Sequence, residues 1–190
     1  MRIISQNVTN YGIEVSKDTI FRINLAWCDS IKELSDILDT HKNNSIFLDL
    51  PIKRIKPPNN KYTLDDIIPI ILSHKQIKYF AISNVESPKD LEEYIQKIPA
   101  HITLVPKIES PTAIENISEI VNAIPTDKKI VMLDHDDLFS AIIKNNKSSN
   151  IFKKYIQQLT DYCNSNKITL LRTIGVIFSD EEKRISEYVQ

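Results

Sequence analysis

The chain has 190 residues, and its 24 Lys and Arg nearly balance 25 Asp and Glu, giving a formal net charge of -1. That length suits a single domain with a sizeable core, and the near-neutral charge supplies no electrostatic footprint for nucleic acid or an anionic membrane surface. No apolar run approaches the ~20 residues of a membrane span, because Lys, Asp or Asn interrupts each one.

The opening stretch MRIISQNVTN has neither the apolar core nor the small-residue cleavage site of a secretory signal. Cys28 and Cys163 stand far apart and form no metal-ligand or redox motif, so a reducing, cytoplasmic location is expected. Only two glycines occur, Gly12 and Gly175. A glycine-rich phosphate cradle needs several, which excludes both the dinucleotide fingerprint and the P-loop.

Short β-rich runs alternate with longer amphipathic ones. Strands are predicted at 2–8, 19–27, 45–50, 78–85, 102–108, 129–134 and 168–174, several of them near-continuous Ile, Val, Leu and Phe as in parallel strands buried on both faces. Ser30 with Glu33 reads as a capping box, and Ile31, Leu34 and Leu38 follow on one helical face. Thr63 opens a helix through Leu72. Ser87-Pro88 and Ser110-Pro111 each place an N-cap before a proline at the first helical position. A longer helix is predicted over 151–164, and Ser179 with Glu182 is expected to cap a last one.

This alternation predicts an α/β fold with helices outside a parallel sheet. Val85-Glu86-Ser87-Pro88 returns as Ile108-Glu109-Ser110-Pro111 one strand–helix unit later. Asn24, Asp49, Ser83, Lys107, Glu109, Asp137 and Thr173 all fall at or just beyond the C-terminal ends of different strands. A TIM-type barrel gathers such ends around one mouth, so a single barrel domain over 1–190, truncated to about seven strands, is preferred to an open sheet. A seven-stranded closure or a homo-oligomer contact is then expected to cover the two free edges.

Lys107 and Glu109 lie two residues apart on one strand, so both side chains share a face. They read either as a cation and a carboxylate converging on a substrate or as an ion pair at a strand end. Asp134, His135, Asp136 and Asp137 follow an apolar strand. Carboxylates suit a hard cation such as Mg²⁺, and the same run also reads as an N-cap followed by a solvated acidic loop. Arg22 in an apolar strand needs a partner, for which Asp49 is the candidate, and a packed pair competes with substrate binding. Cys28 has no histidine placed beside it and reads as a packing thiol.

Taken in order, these segments resemble the barrel domain of pyruvate kinase. FRINL at 21–25 is similar to that family's FRxNxSHG strand, LDLPIKRIK at 48–56 to its LDLPGPKIR segment, AISNVES at 81–87 to LSFVRS and PKIES at 106–110 to AKIEN. LDHDDLF at 133–139 is similar to VARGDLG, and Thr173 stands at the threonine of the last strand. The resemblance implies a phosphoenolpyruvate- and pyruvate-using barrel in which Glu109 and Asp137 hold Mg²⁺ (or Mn²⁺). Lys107 would stabilise the enolate, Arg22 would meet a phosphate, and Thr173 would face the protonated methyl. Asn24 and Asp49 would lie at the monovalent-cation region, and Ser83 would complete the cofactor-binding set.

The departures are specific. Pro57 to Tyr62 stands where the family inserts its lid, SHG has become Ala26-Trp27-Cys28, which removes a hydroxyl ligand for the monovalent cation, and GDLG has become Asp136-Asp137-Leu138-Phe139. ADP phosphorylation is not expected. Two readings follow: a lidless, Mg²⁺-dependent lyase or aldolase acting on a small 2-oxo acid or enolate, with Trp27, Ile52 and Phe139 shaping an apolar pocket, or a degenerate, non-catalytic scaffold or regulatory protein. Neither calls for nucleic acid or a membrane.

Overall fold

The structure, a computed structural model, describes residues 2–5, 18–52, 58, 60–146, 148–176 and 185–189, the main chain alone at 2, 173–176 and 185–189. Seven strands follow the predicted order: β1 (Arg2–Ser5), β2 (Ile20–Asn24), β3 (Ile46–Leu50), β4 (Ile77–Ile82), β5 (Thr103–Ile108), β6 (Ile130–Leu133) and β7 (Thr169–Val176). Each pairs with the next in parallel, and the sheet curls. Residues of β2, β3 and β6 are buried at every position, which is why their sequences are apolar runs rather than alternations.

The expected end of the fold differs. In place of the predicted last helix, an eighth strand, β8 (Ile185–Val189), runs antiparallel to both β7 and β1, and the strand order closes on itself. Ser179 and Glu182, the predicted cap, lie outside the described residues. The two waiting edges present unpaired backbone groups that a strand satisfies and a helix does not. The edges left for an oligomer contact are thereby bridged within the chain, and a sheet of seven parallel strands with one antiparallel closure replaces the seven-stranded barrel.

Among the described residues seven α-helices cover the outside: α1 (Ile31–Thr40), α2 (Leu64–Ser73), α3 (Glu92–Lys97), α4 (Pro111–Glu115), α5 (Ile117–Ala123), α6 (His135–Lys144) and α7 (Ile151–Ser165). The caps predicted at Ser30, Thr63 and Ser110 form. Ser30 accepts from the Glu33 N–H at 3.1 Å, and Glu33 reaches back to the Asp29 N–H. Thr63 and Asp66 make a reciprocal box, and Ser110 accepts from the Ala113 N–H at 3.2 Å. The helix stripes bury Leu34 and Leu38 on α1 and Tyr155, Leu159 and Cys163 on α7. Each fully buried leucine contributes about 2 kcal/mol. The segment after Pro88 starts as a 3-10 turn before α3, a shorter α-helix than the sequence suggests.

Two apolar layers result. The larger lies between helices and sheet; the smaller, Ile3, Ile20, Phe47, Ala81, Val105, Ile130, Met132 and Leu171, fills the barrel interior. Counting two residues on from these interior positions reaches Arg22, Asp49, Ser83, Lys107 and Asp134, because strand side chains alternate between faces. The interior is thus apolar at one end and polar at the C-terminal end of the strands, where Arg22, Asn24, Asp49, Ser83, Lys107 and Glu109 are all buried.

Candidate metal centre

β5 ends in Lys107-Ile108 with Glu109 next in the chain, and the same-face pair expected from the spacing of Lys107 and Glu109 is present. The Lys107 Nζ lies 2.6 Å from Glu109 Oε1, donates to Ser83 Oγ at 3.2 Å, and stands 3.9 Å from Asp134 Oδ2. Both members of the pair are about 95% buried. Burial alone would lower the Lys107 pKa; the carboxylates of Asp49, Glu109 and Asp134 outweigh it and raise it, so the ammonium stays charged. Burial raises the Glu109 pKa, opposed by Lys107 and by the Asn84 N–H.

Asn84, at the end of β4, has φ +55°, the left-handed region that a short polar residue tolerates. This turn aims its N–H at Glu109 Oε2, 2.6 Å away, while its side-chain amide donates to the Ile52 carbonyl at 2.7 Å. Three strand ends are therefore tied at Asn84. Asn84 is not among the residues the sequence singles out; an asparagine just past the end of a strand is its one local signal.

The run after β6 is a helix start rather than a loop. Asp134 caps α6 by accepting from the Asp137 N–H at 3.2 Å, and this geometry turns both carboxylates toward Glu109. One oxygen each from Glu109, Asp134 and Asp137 lie within 4.8 Å of one another. Glu109 and Asp137 were the expected pair; Asp134 is added by the cap. Three hard oxygen donors fit Mg²⁺ or Mn²⁺, with waters or a ligand completing the shell. Each carboxylate oxygen has two lone pairs, so the bonds Glu109 makes to Lys107 and Asn84 leave it able to bind a cation.

A cleft of about 360 Å³ opens beside this cluster, lined by Ser83, Lys107, Glu109 and Asp137 and extending past Ile52 along α6 to Lys144. The other expected residues lie elsewhere. Arg22 hydrogen-bonds Asp49 inside the barrel, forming the buried pair expected from the sequence, and neither lines the cleft. Asn24 accepts from the Ala26 N–H at 3.0 Å and starts a 3-10 turn over Leu25–Trp27. Thr173 pairs through its backbone with Tyr188, and its side chain is outside the described residues. Of the three residues expected to shape an apolar pocket only Ile52 does so. Trp27 and Phe139 are exposed outside the cleft, and Phe139 packs edge-on against Phe152 with centroids 5.4 Å apart. Cys28 is a buried thiol, as expected.

The fold is similar to that of RipC from Yersinia pestis. The two chains are 15% identical, with a TM-score of 0.57 over 86% of this chain and 72% of RipC. At that identity the likeness concerns the fold alone. No family model and no curated protein matches the chain. The resemblance to pyruvate kinase is thereby overturned: the structural likeness is to RipC, and the antiparallel β8 departs from a barrel of parallel strands. Among the described residues no helix is long and apolar enough to cross a membrane.

Proposed function

We propose that the chain is a TIM-type scaffold whose cleft binds Mg²⁺ or Mn²⁺ on Glu109, Asp134 and Asp137, together with a small 2-oxo acid or its enolate, for metal-dependent carbon–carbon lyase or aldolase chemistry. The observation that carries this reading is the Lys107 ammonium, buried beside Glu109 and facing Asp134 in an open-ended cleft. Burying several charges at a strand end costs several kcal/mol per ion before compensation, and an apolar layer would serve a mere scaffold as well.

A bound divalent cation supplies Lewis-acid polarisation of a carbonyl oxygen. Lys107 is held protonated by its carboxylates, so its role is electrostatic: it faces negative charge developing on a ligand oxygen without giving up its proton. Ser83 orients that ammonium, and Asn84 orients Glu109. The arrangement is preorganised, because every one of these groups stands on or directly after a strand.

Calorimetric titration of oxalate, an enolate mimic, with and without Mg²⁺ or Mn²⁺ tests the reading. Metal-dependent binding is expected in the wild type, with a loss of at least about tenfold, roughly 1.4 kcal/mol, in Glu109→Gln and Asp137→Asn. A folded protein that binds no oxalate at millimolar concentration with either metal overturns it and leaves the non-catalytic scaffold.

A further inference from the structure

We propose that Lys144, at the outer end of the cleft, selects ligands bearing a second anionic group, so that the substrate class is a 2-oxo acid with a carboxylate or phosphate at its far end. This rests on the metal reading above for the inner end of the ligand. One wall of the cleft is the α6 stripe Asp137, Ser140, Ala141 and Lys144, spaced i, i+3, i+4 and i+7 and therefore on one helical face.

Chemistry changes along that stripe. Asp137 belongs to the carboxylate cluster, and Lys144 closes the other end. Between them the Ser140 hydroxyl donates to the Asp136 carbonyl at 2.7 Å, spending its donor on the helix, and Ala141 adds only a methyl. Between Asp137 and Lys144 the α6 wall thus offers a methyl group and a hydroxyl whose donor is already used, a stretch that suits methylene groups.

The two lysines of the lining differ in their engagement. Lys107 is tied to Glu109, whereas among the described residues no carboxylate lies within ion-pair distance of Lys144. With Asp134 included, Glu109, Asp134 and Asp137 balance Lys107 and a bound divalent cation, so Lys144 and Glu86 are the charged groups of the lining left to meet the rest of a ligand, and Lys144 is the one that attracts an anion.

Seven residues of helix separate Asp137 from Lys144, a rise of about 10 Å, and helical side chains lean toward the N-terminus, which shortens the gap to be bridged. A 2-oxo acid of about five to seven carbons spans it. The volume agrees, since about 360 Å³ exceeds what a three-carbon acid fills.

The test compares, in the presence of Mn²⁺, oxalate, 2-oxohexanoate, 2-oxoadipate and the phosphonate analogue of 2-oxoadipate, titrated into wild type, Lys144→Ala and Lys144→Arg. Expected is a preference of about threefold to tenfold for 2-oxoadipate over the uncharged-tail acid of equal length. Lys144→Ala removes it, Lys144→Arg keeps it, and oxalate binds all three alike. The phosphonate binding more tightly than 2-oxoadipate identifies phosphate as the far group; the reverse identifies carboxylate. Equal affinity for the two six-carbon acids in wild type, or a preference that survives in Lys144→Ala, overturns the proposal. If Lys144→Ala lowers only the thermal midpoint, its role is confined to the helix end and the proposal falls. A Lys144-dependent preference without any metal-dependent oxalate binding supports the outer site while removing the metal reading.

Discussion

The backbone N–H of Asn84 donates to Glu109 Oε2 at 2.6 Å, so the direction of the cleft's central carboxylate is set by a turn on the neighbouring strand. That turn has φ +55°, which a β-branched side chain occupies at a cost of about 1–2 kcal/mol. Asn84→Gly should keep Mn²⁺ affinity within about twofold, because the N–H remains. Asn84→Val should lose about 1–2 kcal/mol in urea unfolding and weaken Mn²⁺ binding with it. Equal behaviour of the two variants would separate Glu109 from this turn.

Lys107→Met leaves Glu109 buried near Asp134 and Asp49 without its cation. A stability loss of about 3 kcal/mol at neutral pH is expected from removing one partner of a buried pair. The deficit should narrow as pH falls. Burial already raises the Glu109 pKa, and without the ammonium the folded state takes up a proton before the unfolded chain does, so acid favours folding of the variant. Urea titrations at a series of pH values read this directly; a deficit that widens in acid contradicts it.

Asp134 has two roles that substitution separates. Serine keeps an oxygen for the Asp137 N–H but no charge, whereas alanine removes both. Asp134→Ala should cost about 1 kcal/mol of stability and Asp134→Ser a fraction of that. Both should weaken Mn²⁺ binding alike, by about tenfold, as one carboxylate ligand is lost. Retained metal affinity in the serine variant would confine Asp134 to helix capping.

Burial pushes the Cys163 thiol up to about 12, and Cys28 is equally enclosed. At pH 8 the Cys163 thiol is therefore protonated and shielded, and a thiolate is what disulfide reagents attack. Neither cysteine should react with a chromogenic disulfide reagent until denaturant is added. Rapid labelling of the folded protein would show that α7 opens readily from the sheet.

His41 stacks on Phe21 with ring centroids 3.8 Å apart, and burial lowers its pKa below the ordinary 6.5, partly offset by Asn44. The folded state thus prefers the neutral ring. Its contribution to stability is complete above pH 6.5 and is lost as pH falls from there through the lowered value, because the unfolded chain protonates first. His41→Phe keeps a stacked ring without a titrating group and should flatten stability against pH in this window.

Local signals determined most of the elements. The apolar runs of β2, β3 and β6, the caps Ser30, Thr63 and Ser110, and the i, i+4 stripe of α7 are statements about burial and hydrogen bonding within a few residues, and a linear sequence carries them in full. The period-2 spacing of Lys107 and Glu109 likewise placed the two groups on one face. The closure by β8 did not follow, because Ser179 and Glu182 are compatible with a helix cap, and only two unsatisfied sheet edges favour a strand at 185–189. Asp134 as a third carboxylate, the Asn84 turn and the reach of the cleft to Lys144 were decided in the same way. Each depends on how far apart β4, β5 and β6 end and on the face α6 turns to them, and those distances exist only once the sheet has curled.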